Sequence, residues 1–260
     1  MATLVQQHKG IFIICVVLVL LFGFVVFEVL SVVYGGTSVP TPTIPREPIV
    51  QGSGPALKYV VMGDSSAVAQ GADYSEGYAI ATTDHLAKNY TVTMLNVGVS
   101  GARAKDMTGE QLEKAQAQKP DVVLIAVGGN DVTHLSSAKS VEQSIKTAVN
   151  QLIQTNCDLK IVVTGVPQMG SVPRFPQPLQ AVAGLRTTQL NKVFDQLVNA
   201  QSLTFARIAE QTGRQFKDDP TLFAQDKFHP NARGYAVWTP VLNQALDAAL
   251  TSQPSHCPKD

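Results

Sequence analysis

Five short runs of mostly β-branched and other apolar residues recur from residue 58 onward, and a longer stretch of helical character separates each from the next. The runs are Lys58–Met62 (KYVVM), Thr91–Asn96 (TVTMLN), Val122–Val127 (VVLIAV), Lys160–Thr164 (KIVVT) and Leu203–Ile208 (LTFARI). The helical stretches are Glu76–Asn89, Lys105–Lys119, Ser140–Gln154 and Leu185–Gln201, with a last one from Pro230 to Leu250. Strands that stay apolar along their whole length are buried on both faces, as happens when helices cover each side of a parallel sheet. Right-handed crossovers then leave one economical architecture: a three-layer α/β/α sandwich with a five-stranded parallel sheet, flavodoxin-like in its winding. No internal repeat or low-complexity tract interrupts it.

The first 56 residues are of a different kind. From Ile11 to Tyr34 runs IFIICVVLVLLFGFVVFEVLSVVY, 24 residues with Glu28 as the one charge. As a helix it would extend roughly 36 Å, enough for a hydrocarbon core of about 30 Å. Lys9 is the one basic residue before it, and none follows until Arg46, which places residues 1–10 in the cytoplasm and the rest outside. The competing reading is a cleaved signal peptide, but the apolar run is long for one and SVVYGG makes a poor cleavage site. Either way the domain is exported: a single-pass protein of the cell membrane, or a secreted one. Residues 35–56 hold prolines at 40, 42, 45, 48 and 55 and read as an extended spacer. The folded domain is then 57–250, with a tail at 251–260.

The 20 basic and 20 acidic side chains cancel, which argues against a nucleic-acid binder. Three cysteines without a Cys-x-x-Cys pair argue against zinc or a redox motif. Cys15 lies in the apolar run; Cys157 and Cys257, outside the membrane, can form a disulfide that tethers the tail.

Ligands of such sheets bind at the carboxyl ends of the strands. The blocks there are Gly63-Asp64-Ser65-Ser66, then Asn96-Val97-Gly98-Val99-Ser100-Gly101, then Gly128-Gly129-Asn130-Asp131, and, ahead of the last helix, Asp226-Lys227-Phe228-His229-Pro230. Each alone is an ordinary turn sequence; their joint order is informative. Together they resemble the SGNH/GDSL hydrolases over about residues 57–250. The family's serine, glycine, asparagine and histidine match Ser65, Gly101, Asn130 and His229, with its acid at Asp226. Ser66 departs from the leucine that often follows the nucleophile. The resemblance implies a hydrolase of carboxylic esters or thioesters, or an acyltransferase.

The chemistry of these residue types agrees. A serine hydroxyl needs an adjacent base to take its proton, and His229 is that candidate, with Asp226 to fix its tautomer. Ser65, Gly101 and Asn130 supply N–H donors for an oxyanion hole. Asp64 and Asp131 read as capping and bracing groups. His85 reads as a surface or core-edge residue; His134 reads as structural, with the mouth of the site as its alternative place. There is no Gly-x-Ser-x-Gly elbow, no phosphate loop and no His-Glu-x-x-His, so no cofactor and no metal is expected. Gly165–Gly184 is long for a connection and reads as a wall or lid of the substrate pocket, with Met169, Val172 and Phe175 as apolar contacts. The expected activity is an anchored, extracytoplasmic esterase acting on lipids or acylated glycans. The alternatives are acyl transfer to a sugar hydroxyl, or a catalytically silent binding module.

Overall fold

The computed structural model of the chain describes residues 12–24, 26–27 and 37–257. Its sheet has six strands: β1 (Ile49–Gln51), β2 (Ala56–Gly63), β3 (Thr91–Asn96), β4 (Val122–Ala126), β5 (Lys160–Thr164) and β6 (Thr204–Ala206). They lie in the order β1-β3-β2-β4-β5-β6. β2 to β6 are parallel and wound as expected, while β1 pairs antiparallel with β3, Ile49 opposite Met94 and Gln51 opposite Val92. The expected sheet of five strands is therefore corrected to six. β1 falls inside the proline-rich stretch read as a spacer. Prolines at 45 and 48 precede it, and an edge strand with one partner tolerates such neighbours.

Successive strand residues alternate between two cores, which is why residues 59–62, 122–126 and 161–163 are continuously apolar. Val60, Met62, Val123, Ile125, Ile161 and Val163 point to one face, covered by α2 (Glu110–Gln118), α4 (Ala138–Thr155) and α5 (Leu179–Ala200). Tyr59, Val61, Val122, Leu124 and Val162 point to the other, covered by α1 (Tyr78–Leu86), α6 (Ile208–Asp218) and α7 (Ala232–Ser252). The remaining helix, α3 (Gly129–Thr133), is a single short turn after β4.

Several boundaries move. α5 begins at Leu179 instead of Leu185, so the long loop after β5 is shorter than expected and already contains a 3-10 turn at Met169–Ser171. α6 has no counterpart among the expected helical stretches. Pro230 does not open the last helix: Asn231 caps it by accepting from Gly234 N at 3.1 Å, and Pro230 instead bridges to Phe223. Cys157 and Cys257 are joined in a disulfide. The apolar run is helical at residues 12–24 and 26–27 with its side chains exposed, and among the described residues no helix is long and apolar enough to cross a membrane. The rest of the span expected at 11–34, and the stub at 1–10, lie outside the described residues.

Candidate active site

The loop after β2 is held from three sides before any catalytic group is considered. Gln111 of α2 accepts from Gly63 N at 2.9 Å and donates to Gly63 O at 3.0 Å, continuing the ladder where the strand ends. Asp64 N bonds Ala126 O at 3.1 Å, and Asn96 Nδ2 donates to Ala67 O at 2.7 Å. Asp64 itself is buried and accepts from Ser66 N at 2.9 Å and Ser66 Oγ at 2.8 Å. Burial pushes its carboxyl above the ordinary value, partly offset by those two donors. Ser66, polar where leucine is common, thus completes the Asp64 brace.

Ser65 Oγ lies 2.9 Å from His229 Nε2, and His229 Nδ1 lies 2.6 Å from Asp226 Oδ2. The Asp226 carboxyl also accepts from Phe228 N and His229 N, both at 3.0 Å. Burial opposes its charge, yet the His229 ring and these N–H groups outweigh it and hold the carboxyl below its usual range. An ionised carboxylate only accepts, so Nδ1 carries the proton and Nε2 is left as an acceptor for the serine hydroxyl. Asp226 sits three residues before His229 because the turn between them puts Lys227 in the left-handed region, φ 56°. Gly71, φ 101°, backs the histidine: a Cβ there would meet Pro230 O at 2.4 Å and His229 Cβ at 3.0 Å. Gly71→Ala should therefore displace the imidazole and lower kcat about 10-fold or more, read on a soluble ester beside a thermal melt.

Ser65, Gly101, Asn130 and His229 line one cavity of about 590 Å³. Asn130 Nδ2 donates one proton to Ala102 O at 3.0 Å, which leaves its second N–H for the cavity and ties it to the residue after Gly101. Gly101 is required by its backbone conformation. A Cβ would meet nothing within 4 Å, but φ is 83°; the turn that exposes this peptide needs the left-handed conformation. Asp131 accepts from Ala104 N at 2.9 Å, as a brace. Removal of the Asn130 amide by Asn130→Ala should lower kcat by about 10²–10³-fold with a smaller change in KM, measured by steady-state kinetics.

Of the three expected apolar contacts, Phe175 lines this cavity, Met169 lies under Ser65 and Asn130 in a smaller one, and Val172 lines neither. Instead the first turns of α5 (Leu179, Val182 and Ala183), together with Val132, Leu135 and Phe228, form the apolar wall. Leu179, Val182 and Ala183 lie within the Gly165–Gly184 stretch expected to wall the pocket, but on a helix instead of a loop. His134 also lines the cavity, its Nδ1 near Asn130 O at 2.9 Å, so the less favoured of its two places is the observed one. His85 pairs with Asp247 on the surface, away from the site. Gln70 and Ser100, linked at 2.5 Å across the cavity rim, carried no sequence signal of a role.

A scan of family models matches residues 61–237 to the GDSL-like lipase/acylhydrolase family. The chain is 28% identical over 200 residues to the GDSL-like esterase Rv1075c of Mycobacterium tuberculosis, a match that covers 75% of this chain and 63% of that esterase's length. Among solved structures, TesA superposes with a TM-score of 0.61 at 19% identity, covering 74% of this chain and 99% of TesA. A catalytic mutant of Axe2, an acetylxylan esterase from Geobacillus stearothermophilus, gives 0.61 at 19%, covering 75% and 96%. The superpositions agree with the family match on the fold, and the Ser65–His229–Asp226 arrangement is the geometry of a serine-hydrolase site. The chain belongs to the GDSL-like lipase/acylhydrolase family, the SGNH hydrolases.

Proposed function

We infer that this protein hydrolyses carboxylic or thioesters of lipids or acylated glycans on the outer side of a membrane, through an acyl-enzyme on Ser65. The observation that carries the reading is the pair of hydrogen bonds running Ser65 Oγ, His229 Nε2, His229 Nδ1, Asp226 Oδ2 at 2.9 and 2.6 Å. Ser65 Oγ attacks the carbonyl carbon as His229 Nε2 takes its proton, and Asp226 stabilises the imidazolium. The negative charge on the carbonyl oxygen is met by the Ser65 and Gly101 N–H groups and the Asn130 amide. His229 returns the proton to the leaving alcohol; water then enters by the same route in reverse and releases the acid.

The apolar wall of the cavity suits an acyl chain, and the acetylxylan esterase among the structural neighbours makes glycan esters a reasonable second substrate. Export is supported by the apolar run before residue 35 and by the Cys157–Cys257 disulfide, a bond that persists in oxidising compartments. The test is a fluorophosphonate probe. It should label the wild type and not Ser65→Ala; a folded wild type without Ser65-dependent label overturns the enzymatic assignment. Adding acceptor alcohols to the ester assay distinguishes hydrolysis from acyl transfer.

A further inference from the structure

The path by which the chain enters the domain is unusual for a flexible spacer. β1 runs antiparallel to β3, and its first residue, Ile49, lies opposite Met94 near the carboxyl end of that strand. The chain therefore enters the sheet at the edge that carries Ser65, Gly101 and Asn130. Before β1 it stays on the domain: Val39, Pro42 and Ile44 are half-buried, and residues 43–48 run beside the Leu95–Val99 segment. At its start Thr37 Oγ1 donates to Gln225 O at 3.2 Å, and Gln225 is the neighbour of Asp226. The apolar run ends at Tyr34, three residues earlier. Three residues reach at most about 10 Å.

The rim of the cavity has matching chemistry. Leu135 and Val182 line the cavity and are 67% and 45% exposed, and Leu185, 68% exposed, lies one turn on from Val182 along α5. Val182 and Leu185 share one face of α5 by their spacing, and Leu135 is held outward in the left-handed region at φ 52°. Arg186, which donates to Ser136 O and Gln189 Oε1, lines the cavity, and Lys227 is exposed beside it. Apolar side chains flanked by cations suit the surface of a bilayer with anionic lipids.

Resting on the anchored-esterase reading above, we propose that residues 37–48 are a strap that turns the active-site mouth toward the membrane, so that the Leu135–Val182–Leu185 rim docks on the bilayer and the ester enters from it. The occupant of this surface is the lipid bilayer itself. The full chain, with Cys15→Ala, is reconstituted in vesicles of equal parts phosphatidylcholine and phosphatidylglycerol, carrying a nitroxide at Leu185→Cys or, on the opposite edge, at Lys88→Cys. The label at 185 should be shielded from a water-soluble relaxation agent and exposed to oxygen in the bilayer; the label at 88 should show the reverse. Leu185→Asp should lower the ratio of vesicle-borne to water-soluble ester hydrolysis by about 10-fold, the cost of seating one charge at the interface. Equal water exposure at 185 and 88 overturns the proposal. Flotation of the chain with vesicles and fluorophosphonate labelling of Ser65 read the two premises separately. Loss of either removes the inference with its premise, whereas a floating, labelled protein with a water-exposed 185 removes the docking alone.

Discussion

Ser65→Ala is expected to reduce kcat on any ester the protein turns over by at least about 10⁴-fold, while leaving its melting temperature near that of the wild type. The size follows from the part proposed for the hydroxyl: without it no acyl-enzyme would form, and the remaining oxyanion donors could only assist direct attack by water. The fold should hardly notice. Ser65 Oγ is bonded to His229 Nε2, but the backbone of its loop is fixed by Gln111, Asn96 and the Asp64–Ala126 bond, none of which the substitution touches. Steady-state kinetics with a thermal melt on the same sample checks both halves. A residual rate within about 100-fold of wild type on a well-folded variant would place the nucleophile elsewhere.

Loss of the Cys157–Cys257 disulfide should have the largest effect on stability. The bond closes a loop with a sequence separation of 100 residues, for which the chain-entropy model gives at most about 4–5 kcal/mol. The tail it holds is also part of the structure: Gln253 Oε1 accepts from Ile161 N at 3.0 Å, Gln253 O accepts from Lys160 Nζ at 2.8 Å, and Cys157 O accepts from His256 N at 2.8 Å. These bonds lie at the edge of β5, so release of the tail exposes the amino end of a central strand. In the Cys157→Ser, Cys257→Ser double variant the unfolding free energy should fall by about 3–4 kcal/mol, roughly 6–16 °C in Tm, with the ester activity at low temperature retained. Urea unfolding of oxidised and reduced protein reads the same quantity; superposable curves would show that the native contacts of the tail suffice without the bond.

Much of this molecule could be read along the chain because two physical signals are local. Strands buried on both faces must be apolar at every position, so KYVVM, VVLIA and KIVVT announced a parallel sheet, and the alternation with helices gave its winding. Turn chemistry is local as well. Ser65, Gly101, Asn130, Asp226 and His229 stood out because glycine, asparagine and aspartate cluster where strands end, and resemblance to a known family tied the blocks together. Asp226 and His229, three residues apart in one tight turn, needed no distant partner to be paired.

Other features belong to contacts between residues far apart. The pairing of β1 depends on β3 offering an edge to a proline-flanked segment, which nothing within Ile49–Gln51 encodes. The apolar wall depends on α5 beginning at Leu179, where Pro178 supplies no side-chain cap and Leu179 and Ala183 join the core cluster that holds Phe175. The reason for Gly101 was a φ of 83°, visible only once the turn was built. The sequence by itself determined the class of fold and pointed to Ser65, Gly101, Asn130, Asp226 and His229 as the candidate site, because these rest on periodicity, turn chemistry and family resemblance; the Cys157–Cys257 pair was open to it only through the expected export. The tertiary structure alone decided how the cavity is walled, why Gly71 must back His229, and that the chain enters at the active-site edge, because these depend on which distant surfaces the fold brings within contact.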